Sequence, residues 1–195
     1  MSERIFETVV TTCSPAGVAH VAPMGVRYAE GEVVLKPFRP SQTLENIMVT
    51  RTAVLNVITD VRVFAGCVTR RRGWDTVSVE TEGGPAAVRL GCAHSHLLLR
   101  LAAVQDDGQR PTLRLARVQE VLHSAFSGFN RAQAAVIEGA VLVSRLHLLP
   151  AEKIATEMAY LQIAIDKTAG PEELEAWGWL QEAVARQRAA AVEAA

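Results

Sequence analysis

Short apolar stretches separated by turn residues fill the first 125 residues of the chain. The Val- and Thr-rich stretch Phe6–Thr12 predicts a strand. Residues Val18–Val26 predict a second strand, interrupted at Pro23-Met24-Gly25, and Glu32–Lys36 predicts a third. Because short turns that contain glycine join these stretches, we expect an antiparallel meander at the start of the fold.

The pattern then changes to that of a short helix and a buried strand. Thr43–Thr50 predicts a helix with Thr43 as its N-cap. Ala53–Thr59 is nearly all apolar and predicts a strand, in which the amide of Asn56 needs hydrogen-bonding partners if it is buried. The apolar run within Asp60–Gly73 fits either a strand or a short helix, and its periodicity does not decide between them.

The second half of the chain contains a long hairpin and then helices. Two weaker extended pieces come first, at Thr76–Glu82 and Pro85–Leu90. Leu90–Val104 and Thr112–Val121 predict the arms of the hairpin. After Phe126, three apolar or amphipathic segments joined by short turns predict three helices. We therefore expect an α+β protein, with a β-rich domain at residues 1–125 and a C-terminal three-helix subdomain at residues 126–195.

Composition and charge narrow the class of protein. Apolar residues make up 49% of the chain and charged residues 21%, which is typical of a folded domain with a packed core. The net charge of −1 gives no basic surface excess of the kind that attracts nucleic acid or an anionic membrane. The three widely spaced cysteines do not form a disulfide framework, and the N-terminus lacks a signal-peptide pattern. We expect a cytoplasmic protein.

A candidate anion site lies between the third strand and the first helix. Lys36 and Arg39 supply cations there, and Ser41 and Thr43 supply hydroxyl groups directly before or within the first helical turn, with Asn46 close behind. The free N–H groups at a helix start favour a phosphate group. The alternative interpretation is a helix that Thr43 merely caps, with solvated cations beside it.

The interruption at Pro23-Met24-Gly25-Val26 is a second candidate feature. A kinked strand that contains glycine leaves backbone N–H groups unpaired and lets a flat ligand approach closely. A ring system with hydrogen-bonding edges would fit such a gap.

A possible metal site involves Cys92, His94 and His96. In a strand, residues spaced by two point to one face, and these side chains are suitable zinc ligands. A complete site needs a fourth group or a water molecule, so we predict no metal there.

The combination of VAPMGV, VVLKPFRPSQTLENI and AVLNVITD resembles the FMN-binding split-barrel superfamily. The later segment FNRAQAAVIEGAVLVSRLHLLP resembles the helical C-terminal region of one family in that superfamily, the domain-of-unknown-function family 447. This resemblance implies an antiparallel split β-barrel of six strands, followed by a C-terminal helical subdomain. It also implies a homodimer that holds FMN in a groove at or near the subunit interface.

The resemblance further implies roles for particular residues. The phosphate would lie against the helix start, the isoalloxazine along the interrupted strand, and the ribityl chain beside Lys36 and Pro37. Asn130 and Arg131 would reach the flavin, or would instead be the N-cap and first residue of a helix. The implied FMN-binding residues are Met24, Gly25, Val26, Lys36, Pro37, Arg39, Ser41, Thr43, Asn46, Asn130 and Arg131.

The implied activity is that of an FMN-dependent oxidoreductase or flavin reductase, with a nicotinamide or a pterin-type small molecule as a further partner. The alternative is a non-catalytic flavin-binding, storage or structural dimer module. The residues indicate no general acid or base for the site.

Overall fold

A closed barrel of six antiparallel strands is formed by the β-rich part of the chain in the computed structural model, which describes residues 4–71, 73–106 and 108–193. The strands are β1 Phe6–Cys13, β2 Ala19–Ala29, β3 Glu32–Leu35, β4 Thr52–Val57, β5 Thr76–Val79, β6 Ala87–Leu90, β7 Ser95–Gln105 and β8 Thr112–Leu122. Around the barrel the strand order is β1-β2-β3-β8-β7-β4, and β4 pairs with β1 to close it. The remaining strands, β5 and β6, pair with each other as a separate two-stranded sheet.

Side chains from all six barrel strands meet in one apolar core. Alternation along each strand turns every second residue inwards, which is why branched aliphatic residues recur at a spacing of two. Helix α1, Gln42–Thr50, closes part of the core with Leu44 and Ile47. The core residues include Val10, Val26, Val33, Leu35, Leu55, Leu99, Leu113 and Leu115, all with no exposed surface. The structure confirms the predicted α+β fold with a barrel.

Strand β2 is continuous, so the predicted interruption at Pro23-Met24-Gly25 is wrong. Met24 pairs with Thr8 and Gly25 with Glu7 in the register of β2 with β1. A proline is accepted in a strand where one edge has no neighbour, because the missing N–H then breaks no ladder bond. Strand β2 has such an edge here, since its pairing with β3 runs only from Val26 to Ala29.

Asn56 is a structural amide of the barrel. Its Nδ2 donates to the carbonyl oxygen of Val9 at 3.1 Å, and its Oδ1 accepts from the backbone N–H of Leu90 at 2.8 Å. The side chain has no exposed surface. Asn56 therefore ties β4 to β1 and holds the β5–β6 sheet against them.

The long hairpin begins later than predicted. Strand β7 starts at Ser95, and residues 91–94 form a turn and a bend in front of it. The backbone N–H of His94 donates to Val57 at 2.9 Å, and its carbonyl oxygen accepts from His123 at 2.7 Å. These bonds fix the turn between the ends of β4 and β8.

Helices form a second compact unit, from residues 59–73 together with the described residues after 126. Arg62–Val68 is helix α2, which decides the ambiguous segment, and the later helices are α3 Arg131–Ser144, α4 Ala151–Thr168 and α5 Pro171–Glu193. The predicted division between residues 1–125 and 126–195 stays a prediction. The described residues within 59–73 group with the later helices and not with the barrel. No helix in the described ranges is both long and apolar enough to span a bilayer.

Candidate functional site

Ser41, and not Thr43, is the N-cap of helix α1. Ser41 has an extended backbone, with φ −153° and ψ 121°, and its Oγ accepts from the N–H of Leu44 at 3.3 Å. Its carbonyl oxygen accepts from the N–H of Glu45 at 3.0 Å. Of the N–H groups in the first turn, those of Gln42 and Thr43 thus remain for a ligand among the described contacts.

Thr43 lies in the first turn of α1 with only 1% of its surface exposed. Its Oγ1 is buried and has no hydrogen-bonding partner among the described residues. An unsatisfied buried hydroxyl costs roughly 1–3 kcal/mol, so it is uncommon in a structure without a functional reason. This hydroxyl and the two free N–H groups are at the positive end of the helix dipole.

Asn46 is committed to the packing of α1. Its Nδ2 donates to Oγ1 of Thr12 at 3.0 Å, and its Oδ1 accepts from Nε2 of Gln42 at 3.0 Å. The side chain is buried. These bonds fix the start of the helix against β1, which is a positioning role. Direct contact of Asn46 with a ligand stays a prediction.

The loop between β3 and α1 is held by residues from the turn between β7 and β8. Arg39 donates from Nη2 to Oδ2 of Asp106, and both side chains are about half exposed. Arg110 donates from Nε to the carbonyl oxygen of Lys36 at 2.8 Å, and its guanidinium lies 4.1 Å from the ring centre of Phe38. Sequence reasoning missed Asp106 and Arg110. Only the pairing of β3 with β8 brings them to this loop.

The residues Met24, Gly25 and Val26 lie on β2 where its pairing with β3 ends. Met24 packs against the barrel core and Val26 has no exposed surface, so their side chains point inwards. A Cβ atom on Gly25 would lie 2.8 Å from Cγ2 of Ile5, so Ile5 covers the outer face of Gly25. The part of β2 that remains open is its hydrogen-bonding edge, which adjoins the end of β3 and the start of the Lys36 loop.

Asn130 and Arg131 lie in the helical unit. Asn130 is the N-cap of α3, where its Oδ1 accepts from the N–H of Ala132 at 2.7 Å. Its Nδ2 donates to the carbonyl oxygen of Thr168 at 3.0 Å. Arg131 is the exposed first residue of the helix. The cap confirms the alternative interpretation of Asn130, and contact of either residue with a flavin stays a prediction.

The expectation that Cys92, His94 and His96 share one strand face is wrong, because Cys92 and His94 precede β7. His94 instead bonds Ser124 through Nδ1 at 2.7 Å. The buried His96 stacks on His123, with Nδ1 and Nε2 2.8 Å apart and the ring planes 6° from parallel. Burial, then His123 and Arg89, lower the pKa of His96, and slight desolvation and Arg89 lower the pKa of the exposed His123. Within the described residues, no His, Cys, Asp and Glu side chains gather as a metal site.

The six-stranded barrel, with a helix following its third strand and a helical unit after its last, is a split-barrel fold. The chain belongs to the DUF447 family of proteins of unknown function. The model of the family's N-terminal domain matches residues 6–124, and a second DUF447 model matches residues 130–182. No curated protein matches the sequence significantly.

Solved structures share this fold. An FMN-bound DUF447 protein of Methanosarcina mazei is similar over 93% of this chain and 96% of its own, with 20% identity and a TM-score of 0.80. The 2-nitrobenzoate 2-nitroreductase of Pseudomonas fluorescens is similar over 63% of this chain and 66% of its own, with 17% identity and a TM-score of 0.52. A split-barrel protein of Shewanella frigidimarina described as flavin-reductase-like is similar over 65% of this chain and 74% of its own, with 15% identity and a TM-score of 0.51.

Proposed function

We propose that the barrel unit binds FMN, with the phosphate at the start of α1. The observation that carries this proposal is the group of donors found there: the unpartnered Oγ1 of Thr43 and the N–H groups of Gln42 and Thr43, which the cap leaves free. The similar structure from Methanosarcina mazei, which holds FMN, supports the same ligand.

The phosphate end of the site fits the residues present. Hydroxyl and N–H donors at a helix start complement a dianion, and the positive end of the dipole adds to the attraction. Lys36 and Arg39, on the adjoining loop, supply the charge that neutralises it. Arg39 can grip two phosphate oxygens at once, which a lysine cannot do.

The isoalloxazine ring is assigned to the open edge of β2. Those backbone groups within Met24–Val26 that point to this edge lie where the β2–β3 ladder ends, so they can bond the polar edge of a flat ring. The carbonyl oxygen of Met24 already accepts from Oγ1 of Thr8 at 2.9 Å. The buried Pro37 and the stem of Lys36 would line the ribityl chain between ring and phosphate. The side chains of Met24 and Val26 then support the strand from within the barrel and do not touch the ligand.

A bound FMN supplies hydride and electron transfer, so the activity that we propose is that of a flavin-dependent oxidoreductase or flavin reductase. The chain itself binds the phosphate, orients the ring and shields one side of it with the β2 edge. A nicotinamide is proposed as electron donor, and a pterin-type molecule is a further partner to test.

A homodimer in the cytoplasm completes the proposal. Large apolar side chains are exposed on the barrel strands, where Leu122 is 74%, Val118 51% and Phe6 44% exposed. We propose that a second copy of the barrel covers these side chains. Light scattering during size-exclusion chromatography should give twice the monomer mass of 21.1 kDa. A monomer at micromolar concentration would contradict this part of the proposal.

The flavin and its chemistry are tested on the purified full chain. We expect flavin absorbance bands, or their appearance after incubation with FMN and gel filtration, and FMN as the flavin released on denaturation. A protein that takes up no flavin would overturn the proposal. Anaerobic bleaching by a nicotinamide, followed by reoxidation with an acceptor, would demonstrate an enzyme, whereas stable FMN without bleaching would indicate a binding module.

A further inference from the structure

Asp106 places a negative charge beside the cation that is best suited to hold the flavin phosphate. We propose that Asp106 competes with the phosphate for Arg39 and thereby weakens the binding of phosphorylated flavins relative to riboflavin. This inference rests on the proposed function, and it names the residue that sets how tightly the phosphate is held.

The carboxylate of Asp106 is fixed by its own turn. Its Oδ1 accepts from the backbone N–H of Gly108 at 2.9 Å, while Oδ2 accepts from Nη2 of Arg39. The turn therefore holds the carboxylate in place whether or not Arg39 stays bound to it. Both side chains are about half exposed, and Arg39 has the longer side chain, so Arg39 is the partner that can turn towards a phosphate.

The ion pair reduces what Arg39 can offer to a phosphate. A guanidinium grips phosphate through two parallel N–H groups, and the bond to Asp106 occupies one of its Nη atoms. FMN carries a charge of roughly −1.5 to −2 at neutral pH, as other phosphate monoesters do, so a nearby carboxylate repels it. The exposed pair itself is worth only about 0–1 kcal/mol, so FMN can displace it at a modest cost.

Arg110 does not substitute for Arg39. Its Nε donates to the carbonyl oxygen of Lys36, and its guanidinium lies over Phe38. Turning Arg110 towards a phosphate would break both contacts, which hold the loop. Arg39 is therefore the cation whose availability Asp106 controls.

The variant Asp106→Asn tests the competition. Asparagine keeps an acceptor for the N–H of Gly108 but removes the charge, so the turn is retained. Dissociation constants for FMN and riboflavin are measured by quenching of flavin fluorescence in the full-length protein. We expect Asp106→Asn to bind FMN about two- to fivefold more tightly than wild type, with riboflavin unchanged, because a charge-pair effect of this size suits an exposed site.

Glu30→Gln is the matched control, since Glu30 is an exposed carboxylate paired with Arg114 on the same unit. Glu30→Gln should leave the dissociation constant for FMN unchanged. A gain in FMN affinity equal to that of Asp106→Asn would show that the effect comes from net charge alone, and would overturn the inference. In an Arg39→Met background, Asp106→Asn should increase FMN affinity by less than it does with Arg39 present. A full gain there, or weaker FMN binding by Asp106→Asn alone, would contradict competition for Arg39.

The inference and the proposed function fail in different ways. If wild type binds FMN but Asp106→Asn leaves the ratio of FMN to riboflavin affinity unchanged, the inference is wrong and the FMN site stands. If wild type and Asp106→Asn bind neither flavin, the proposed function itself is wrong.

Discussion

Asn46 and Thr12 are joined by a buried hydrogen bond, from Nδ2 to Oγ1 at 3.0 Å, that holds helix α1 against strand β1. Asn46 has 3% and Thr12 2% of its surface exposed. The bond fixes the start of α1 relative to the barrel wall. Because the proposed phosphate donors belong to that helix start, the position of the site depends on this contact between two side chains that do not themselves need to touch the ligand.

Replacing Asn46 by Ala should lower the free energy of unfolding by about 2 kcal/mol, because Thr12 and Gln42 lose their buried partner. Urea denaturation followed by far-UV circular dichroism would measure the change. Val49→Ala is the control: Val49 is 66% exposed on the same helix, so its truncation should cost little. Because Asn46 positions the start of α1, where the proposed phosphate donors lie, FMN affinity should fall while riboflavin affinity is unchanged. An unchanged FMN affinity would contradict this positioning role.

Replacing Thr43 by Val should stabilise the protein in the absence of flavin by about 1 kcal/mol, because it removes an unsatisfied buried hydroxyl without changing the shape. The same change should weaken the binding of FMN more than the binding of riboflavin. Thr50→Val is a matched control in the same helix, since Thr50 Oγ1 donates to the carbonyl oxygen of Asn46 at 2.8 Å. Loss of this hydrogen bond in Thr50→Val should destabilise the protein. Destabilisation by Thr43→Val would mean that its hydroxyl has a protein partner.

The strands and the first helix could be predicted because each has a strong local pattern. The β-branched run of β1 and the apolar run of β4 lie within two residues of their predicted bounds. The helix start was misplaced because Ser41 and Thr43 are equally good caps by residue type. Backbone conformation at Ser41 decides between them, and no sequence pattern reports it.

The missed features depend on contacts between distant parts of the chain. Pro23 suggested a break in β2, but β3 is short and leaves that edge unpaired, so the strand continues. Asp106 and Arg110 reach the Lys36 loop only through the register that pairs Leu35 with Leu113. His123 meets His96 because β7 and β8 pair along their whole length. Local periodicity contains no information on such registers.

Two glycines of the helical unit should respond in opposite directions to the same substitution. A Cβ atom on Gly139 would lie 2.8 Å from Cζ3 of Trp177 and 3.0 Å from Cδ1 of Leu180, inside the contact of α3 with α5. Gly139→Ala should therefore destabilise the unit by about 1–3 kcal/mol. Gly178 has open space around it in helix α5, so Gly178→Ala should stabilise by about 0.5–1 kcal/mol.

Tryptophan fluorescence during urea denaturation measures both variants, since Trp177 and Trp179 belong to the helical unit. Equal effects of the two substitutions would contradict the packing of α3 on α5.

The free energy of unfolding should fall as the pH drops below the pKa of an unperturbed histidine. The pKa values of His96 and His123 are lowered in the folded state, that of His96 chiefly by burial, so the unfolded chain binds more protons once the pH falls below about 6.5. The contribution of the pair to stability is therefore complete above pH 6.5 and is lost between that pH and the lowered values.

Urea midpoints at pH 7.5 and at pH 5.5 should show this loss in wild type. His123→Gln should reduce the difference between the two midpoints, because it removes one titrating ring and the neighbour that lowers the pKa of the other. A midpoint difference that stays the same in His123→Gln would exclude the pair as its source.

The claim that α1 holds a flavin phosphate is tested most directly by the ratio of two dissociation constants, those of riboflavin and FMN, for the wild-type protein. The two ligands differ only in the phosphate group, so the contributions of the ring and the ribityl chain to binding cancel in the ratio. The account predicts that FMN binds at least about tenfold more tightly, which corresponds to about 1.4 kcal/mol from the phosphate contacts. Equal constants for FMN and riboflavin would contradict it.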